Sequence, residues 1–82
     1  MELEEATLTT METLKTLADA KAIKGFELIH TSDGTVLDAL VRGERKRLCV
    51  ARGSVRYFKT VDTAVETLLR LGATRAMIEF RE

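Results

Sequence analysis

The chain is 82 residues long, 45% hydrophobic and 32% charged, with a formal net charge of +0 at pH 7. These proportions describe one small globular domain and exclude a disordered linker, a low-complexity tract and a two-domain enzyme. No apolar run approaches the ~18–20 residues of a membrane span, and neutrality gives no bulk attraction to lipid or nucleic acid, so no membrane partner is expected.

Residues 1–8 carry Glu2, Glu4 and Glu5 with no clear period and read as a frayed N-terminal segment, leaving residues 9–82 as a single α+β domain. Thr9 with Glu12 fits a capping box. Met11, Leu14, Leu17, Ala18, Ala22 and Ile23 then recur at helical spacing and predict a helix from about Thr10 to Lys21, with Gly25 at its end. Phe26–Thr31 alternates as a strand, with Phe26, Leu28 and His30 on one face and Ile29 on the other. Ser32-Asp33-Gly34 is a hairpin turn. Val36–Arg42 is a strand apolar on both faces, interrupted by Asp38. A carboxylate there is either exposed at an edge or paired, and Arg47 and Arg56 are the candidate partners.

Gly43-Glu44-Arg45 turns the chain into a third strand, Lys46–Arg52, in which Cys49 reads as a small buried residue. After the tight turn at Gly53-Ser54, Val55–Phe58 is a fourth strand or an extended lead-in. Thr60 caps a second helix, with Asp62 in its first turn, where a carboxylate is favoured. Val61, Ala64, Val65, Leu68, Leu69 and Leu71 form the stripe of that helix, and Gly72 stops it. Arg75–Phe80 alternates as a last strand with Ala76, Ile78 and Phe80 toward the core. The fold class is therefore α+β: a small antiparallel sheet with helices packed on it, in the order α-β-β-β-β-α-β. No internal repeat is visible. Whether the first helix packs on its own sheet or on a neighbour's is open.

A chain of this length sits near the lower limit for a self-sufficient core, and with no Trp, one Tyr and three Phe the interior must be aliphatic. A homodimer, which would bury further apolar area, is the expected assembly. The single cysteine and the acidic start point to a reducing, cytoplasmic location.

The neutral total hides a split. Residues 1–41 hold eight carboxylates against three lysines, and residues 42–82 hold ten basic residues against five acidic ones. The basic excess concentrates in Arg42, Arg45, Lys46, Arg47, Arg52, Arg56 and Lys59, with only Glu44 among them. Arg47 and Arg56 are expected on the solvent face of their strands. Arg42, Arg45 and Lys46 flank one turn. Two readings stand side by side. In one, this is a solvated hairpin paired with the acidic N-terminal helix of the same molecule or a partner. In the other, residues 42–59 form a basic β-ribbon, a DNA-binding module that contacts phosphates in a major groove. Only Tyr57 and Phe58 lie near the basic run, which argues against a single-strand binder needing several stacking platforms.

Catalytic and metal-binding signatures do not form. His30 with Cys49 would need an orienting group and an oxyanion site. One His and one Cys do not make a zinc motif. Asp33 is better read as a turn former and Glu44 as a turn residue beside arginines than, with Asp38, as a magnesium cluster. No phosphate-binding glycine loop or nucleophile elbow occurs. The expectation is a non-enzymatic protein without a cofactor.

Two stretches carry a family likeness. One is Lys15-Thr16-Leu17-Ala18-Asp19-Ala20-Lys21-Ala22-Ile23-Lys24-Gly25. The other runs from Val55-Arg56-Tyr57-Phe58-Lys59-Thr60-Val61-Asp62-Thr63-Ala64-Val65 on to Leu68-Leu69-Arg70-Leu71-Gly72. Together they resemble the plasmid-partition-associated ParC family of small plasmid and mobile-element proteins, which is unrelated to the topoisomerase subunit of that name. The resemblance covers about residues 14–80, and Thr31–Glu44 departs from the family's more glycine-rich hairpin. It implies an accessory role in plasmid maintenance or partition through protein–protein contact, with plasmid maintenance proteins as further partners, while DNA is a partner on the strength of the basic run alone.

Overall fold

The computed structural model describes residues 3–81. Its elements are β1 (Thr7–Thr9), α1 (Met11–Asp19), β2 (Gly25–Thr31), β3 (Gly34–Val41), β4 (Glu44–Leu48), α2 (Val61–Arg70) and β5 (Met77–Phe80). The fold is α+β, and its five-stranded sheet has the order β1-β4-β3-β2-β5. The β2-β3-β4 meander is antiparallel, and the outer strands β1 and β5 run parallel to β4 and β2.

The expected succession of helices and strands is preserved, with Val55–Phe58 as an extended lead-in making isolated bridges from Val55 to Cys49 and from Phe58 to Thr35. One strand is added. Thr7 and Leu8, read from the sequence as the end of a frayed segment, and Thr9, read as a helix cap, pair with Lys46–Leu48. Three residues are too few for a strand period to show. The Thr9 carbonyl accepts the Cys49 N–H at 2.8 Å, which commits Thr9 to the sheet. The cap of α1 therefore shifts to Thr10, whose extended backbone lets its hydroxyl accept the Thr13 N–H. Thr60 caps α2 the same way, through the Thr63 N–H.

Both helices lie on one face of the sheet. Leu14 of α1 is buried with Leu28, Leu37, Ala39, Val41 and Leu48 of the sheet and with Phe58, Ala64, Leu68 and Leu71, so α1 packs on its own sheet. Burying each such leucine contributes roughly 1.5–3 kcal/mol. Gly34 shows how closely the lead-in approaches the sheet: a Cβ there would stand 2.7 Å from the Phe58 carbonyl oxygen, and its φ is +129°.

Two core expectations are corrected. Ala76, Ile78 and Phe80 are exposed rather than buried, because β5 is an edge strand beyond α2, which lies over β2 and β3. Leu69 is 66% exposed, because helical rotation turns it away from the face that buries Leu68.

The structure also shows a repeat that the sequence hides. The caps Thr10 and Thr60 stand 50 residues apart, and so does each partner in the parallel register that joins Glu27–His30 to Met77–Phe80. A capped helix followed by a strand thus occurs twice, and the second strand lies against the first. Glu12/Asp62, Thr13/Thr63 and Leu28/Ile78 keep the period, but most other pairs differ in kind and leave it hard to read. Glu27 answers Met77, and Ile29 answers Glu79.

Candidate functional site

The helix-free face carries most of the charge chemistry. Registered partners share a face, so Glu27, Asp38 and Arg47 line up across β2, β3 and β4, with Arg45 two residues from Arg47. Asp38 is 0% exposed. Its Oδ1 accepts Arg47 Nε at 2.7 Å, and its Oδ2 accepts Arg47 Nη2 and Arg45 Nη1 at 2.8 Å each. Arg45 Nη1 also donates to Glu27 at 2.8 Å. These bonds raise the Arg45 pKa, the Asp38 bond most of all. Asp38 is thus paired, with Arg47 as anticipated and also with Arg45.

A second set of pairs spans the sheet. Glu4 lies just before β1 at one edge, and Arg81 just after β5 at the other. Yet Arg81 donates to Glu4 at 2.9 and 2.6 Å and to Glu79 at 2.5 Å. Glu79 is registered with Ile29, on the face opposite Leu28 and the helices. The N-terminal segment therefore straps the helix-free face, where Ile29 and Val36 are fully buried. The Arg81 hydrogen bonds hold Glu4 down to about 2, lower Glu79 and raise Arg81 itself.

The seven basic residues anticipated for DNA are therefore not one surface. Arg47 is buried rather than solvent-facing, because the register sets its carboxylate partner Asp38 directly opposite it on the neighbouring strand β3. Arg45 is half-buried in the same network. Lys46 sits on the helix side, registered with Ala39, and lies 3.7 Å from Glu44. Arg42, Arg52, Arg56 and Lys59 are exposed, with Arg56 stacked 4.6 Å over the Phe58 ring. The acidic and basic halves do pair within one molecule. The acidic partners come from strands and the strap, not from the N-terminal helix.

His30 and Cys49 do not meet. β3 separates β2 from β4, and His30 Nδ1 lies 2.6 Å from the Thr35 hydroxyl, with Phe80 edge-on to its ring. Cys49 is half-buried at the end of β4. Asp33 sits in a turn, Asp38 in the arginine network and Glu44 beside Lys46. Among the described residues no three His, Cys, Asp or Glu side chains gather as a metal site would require. Among the described residues no helix is long and apolar enough to cross a membrane.

What remains conspicuous is β5. Met77 is 64%, Ile78 42% and Phe80 69% exposed, with Leu69 of α2 beside them. Val65, Leu68, Leu69, Ala73, Ala76 and Ile78 line a shallow groove of about 240 Å³ between α2 and this strand. The outer backbone groups of an edge strand are a template for further pairing, and β5 has no proline or bulge to blunt it. Its one charge, Glu79, is already held by Arg81. The sequence signal was present as the alternation of Arg75–Phe80, but alternation alone does not tell an edge from an interior strand. Comparison of the chain with family models, curated proteins and solved structures gave no match.

Proposed function

We propose that the chain is a non-enzymatic accessory module of plasmid or mobile-element maintenance that works by protein–protein contact through β5. The setting comes from the resemblance carried by residues 15–25 and 55–72. The mode of action is supported by one observation above all: an apolar, unblunted edge strand with exposed Met77, Ile78 and Phe80. The side chains that chemistry would need are otherwise engaged, with His30 on Thr35 and both Asp38 oxygens on arginines.

The test is retention of a plasmid without selection, comparing the parent chain with Ile78→Lys/Phe80→Lys. Both positions are exposed, so circular dichroism should report an unchanged fold. Loss of retention in the folded variant supports docking at this edge; full retention refutes it.

Four exposed cations sustain a second reading, weak DNA binding by Arg42, Arg52, Arg56 and Lys59. It requires affinity that falls steeply with salt and is removed by alanine at those four positions. Burial of Arg47 and neutralisation of Arg45 leave this ribbon with less charge than its composition suggests.

A further inference from the structure

We propose that the occupant of the β5 edge is a second copy of this chain, paired antiparallel to β5 about a two-fold axis at Met77, so that two five-stranded sheets join into one. The inference rests on the docking reading above and names its partner.

The backbone sets which groups are available. The Arg81 N–H donates to the His30 carbonyl at 2.7 Å, so Arg81, Glu79 and Met77 turn their backbone groups toward β2. Alternation then leaves those of Ala76, Ile78 and Phe80 facing outward.

Opposed residues of an antiparallel pair share a face, so a two-fold axis must fall on a residue position. Four registers centre on the strand, and the one on Phe80 sets Glu79 against Arg81, which Glu4 and Glu79 of its own copy already hold. Centred on Glu79, the two Glu79 carboxylates would be directly opposed. Centred on Ile78, Arg75 would oppose Arg81. Centred on Met77, Arg75 of each copy opposes Glu79 of the other, Ala76 opposes Ile78, and no like charges meet. Like charges directly opposed destabilise a strand pair and opposite charges favour it, so charge, offered by an arginine not already paired, selects the Met77 register. Arg75 is exposed and makes no ion pair among the described residues.

The strand is thus complementary to itself, a property that a site for an unrelated peptide does not need. On the helix side the same pairing brings both Ile78 and both Leu69 side chains toward the groove beside α2. The formal net charge of +0 adds no long-range repulsion between copies. An isologous contact of this kind also closes, covering both β5 edges without starting a filament.

Sedimentation velocity from about 1 to about 200 µM should show a monomer–dimer equilibrium. Arg75→Glu, which sets two carboxylates opposite one another at both ends of the pair, should raise the midpoint about tenfold or more. Lys15→Glu makes the same charge change on the exposed side of α1 and should leave the midpoint unchanged. In a Cys49→Ser background, Met77→Cys should cross-link under mild oxidation, because opposed residues at the axis stand within disulfide reach. Glu79→Cys should not cross-link, since the two copies of position 79 lie four residues apart in this register. A parent chain that stays monomeric throughout, or a Glu79→Cys variant that cross-links in preference to Met77→Cys, overturns the inference. A monomeric parent whose Ile78→Lys/Phe80→Lys variant still loses plasmid retention overturns only the second copy as occupant. Retention by that variant overturns the docking reading itself.

Discussion

Asp38→Asn is the sharpest test of what holds this sheet together. The substitution keeps the shape of the side chain and removes its charge, while one carboxylate oxygen becomes an NH₂ that faces guanidinium donors. Three charge-assisted hydrogen bonds of 2.7–2.8 Å are affected, and Arg47 is left a buried cation without its counter-charge. Removing one partner of a buried pair costs about 3–5 kcal/mol. Arg45 softens the loss little, because it can turn to Glu27 and water but cannot shield Arg47. At ~0.05–0.15 kcal/mol per residue, a chain of 82 residues has only about 4–12 kcal/mol to lose. With a urea dependence near 1 kcal/mol/M for a chain this small, the unfolding midpoint followed by circular dichroism should fall by about 3–5 M, or the protein should already be unfolded in buffer. The double variant Asp38→Leu/Arg47→Met removes both charges together and should recover to within about 1 kcal/mol of the parent. An Asp38→Asn midpoint within about 0.5 M of the parent would refute the assignment of Asp38 and Arg47 as a mutually dependent buried pair.

Lys21 sits at φ 58° just past α1, where the equivalent position after α2 is Gly72, so Lys21→Gly should stabilise by about 0.5–1 kcal/mol in the same urea assay. Arg42 has φ 54° and Gly43 φ 83° in the two-residue turn between β3 and β4, so Arg42→Asn should raise the melting temperature, since such turns favour Asn-Gly. Gly34→Ala would push a methyl against the Phe58 carbonyl and should cost roughly 2–4 kcal/mol, read as a lower melting temperature. Glu4 has its pKa depressed from 4.5 to about 2 by Arg81, so the strap's stabilisation is complete above about pH 4.5 and is lost as pH falls toward 2. Hydrogen-exchange protection at Ala6–Leu8, taken relative to the intrinsic rate at each pH, should fall across that window in the parent and change less in Glu4→Gln, whereas parallel protection profiles would refute the latch.

Much of the fold could be read from the chain because its signals are local. The stripes at Met11, Leu14 and Leu17 and at Val61, Ala64 and Leu68 fix two helices, and Asp33-Gly34 and Gly43 punctuate the meander. Less could be read where position in the sheet decides. Nothing in Thr7-Leu8-Thr9 says that a parallel partner waits at Lys46–Leu48, and nothing in Ala76, Ile78 and Phe80 says that α2 stops short of them. The basic run was visible, but its fate was set by register. One residue of slip in β4 would have turned Arg47 to the helix side and Lys46 toward Asp38. Asp38 was the one position where a local conflict, a carboxylate in an apolar strand, pointed correctly to a charged neighbour.

This arrangement of charge also separates the two functional readings in solution. Two of the seven cations that the sequence offers for phosphate are spent inside the molecule, and Arg81 beyond them is held as well. Arg45 and Arg47 meet Glu27 and Asp38, and Arg81 meets Glu4 and Glu79. Most of the exposed large apolar side chains gather at β5 and the neighbouring Leu69. Association there buries isoleucine, methionine and leucine, with one ion pair at each end, so raising salt from 50 to 200 mM should weaken it only slightly, as expected for exposed pairs. DNA bound by Arg42, Arg52, Arg56 and Lys59 would release a counterion for each phosphate met, and its affinity would fall by about two orders of magnitude over the same range. One salt titration of each complex therefore distinguishes a surface that works by apolar edge pairing from one that works by phosphate contact.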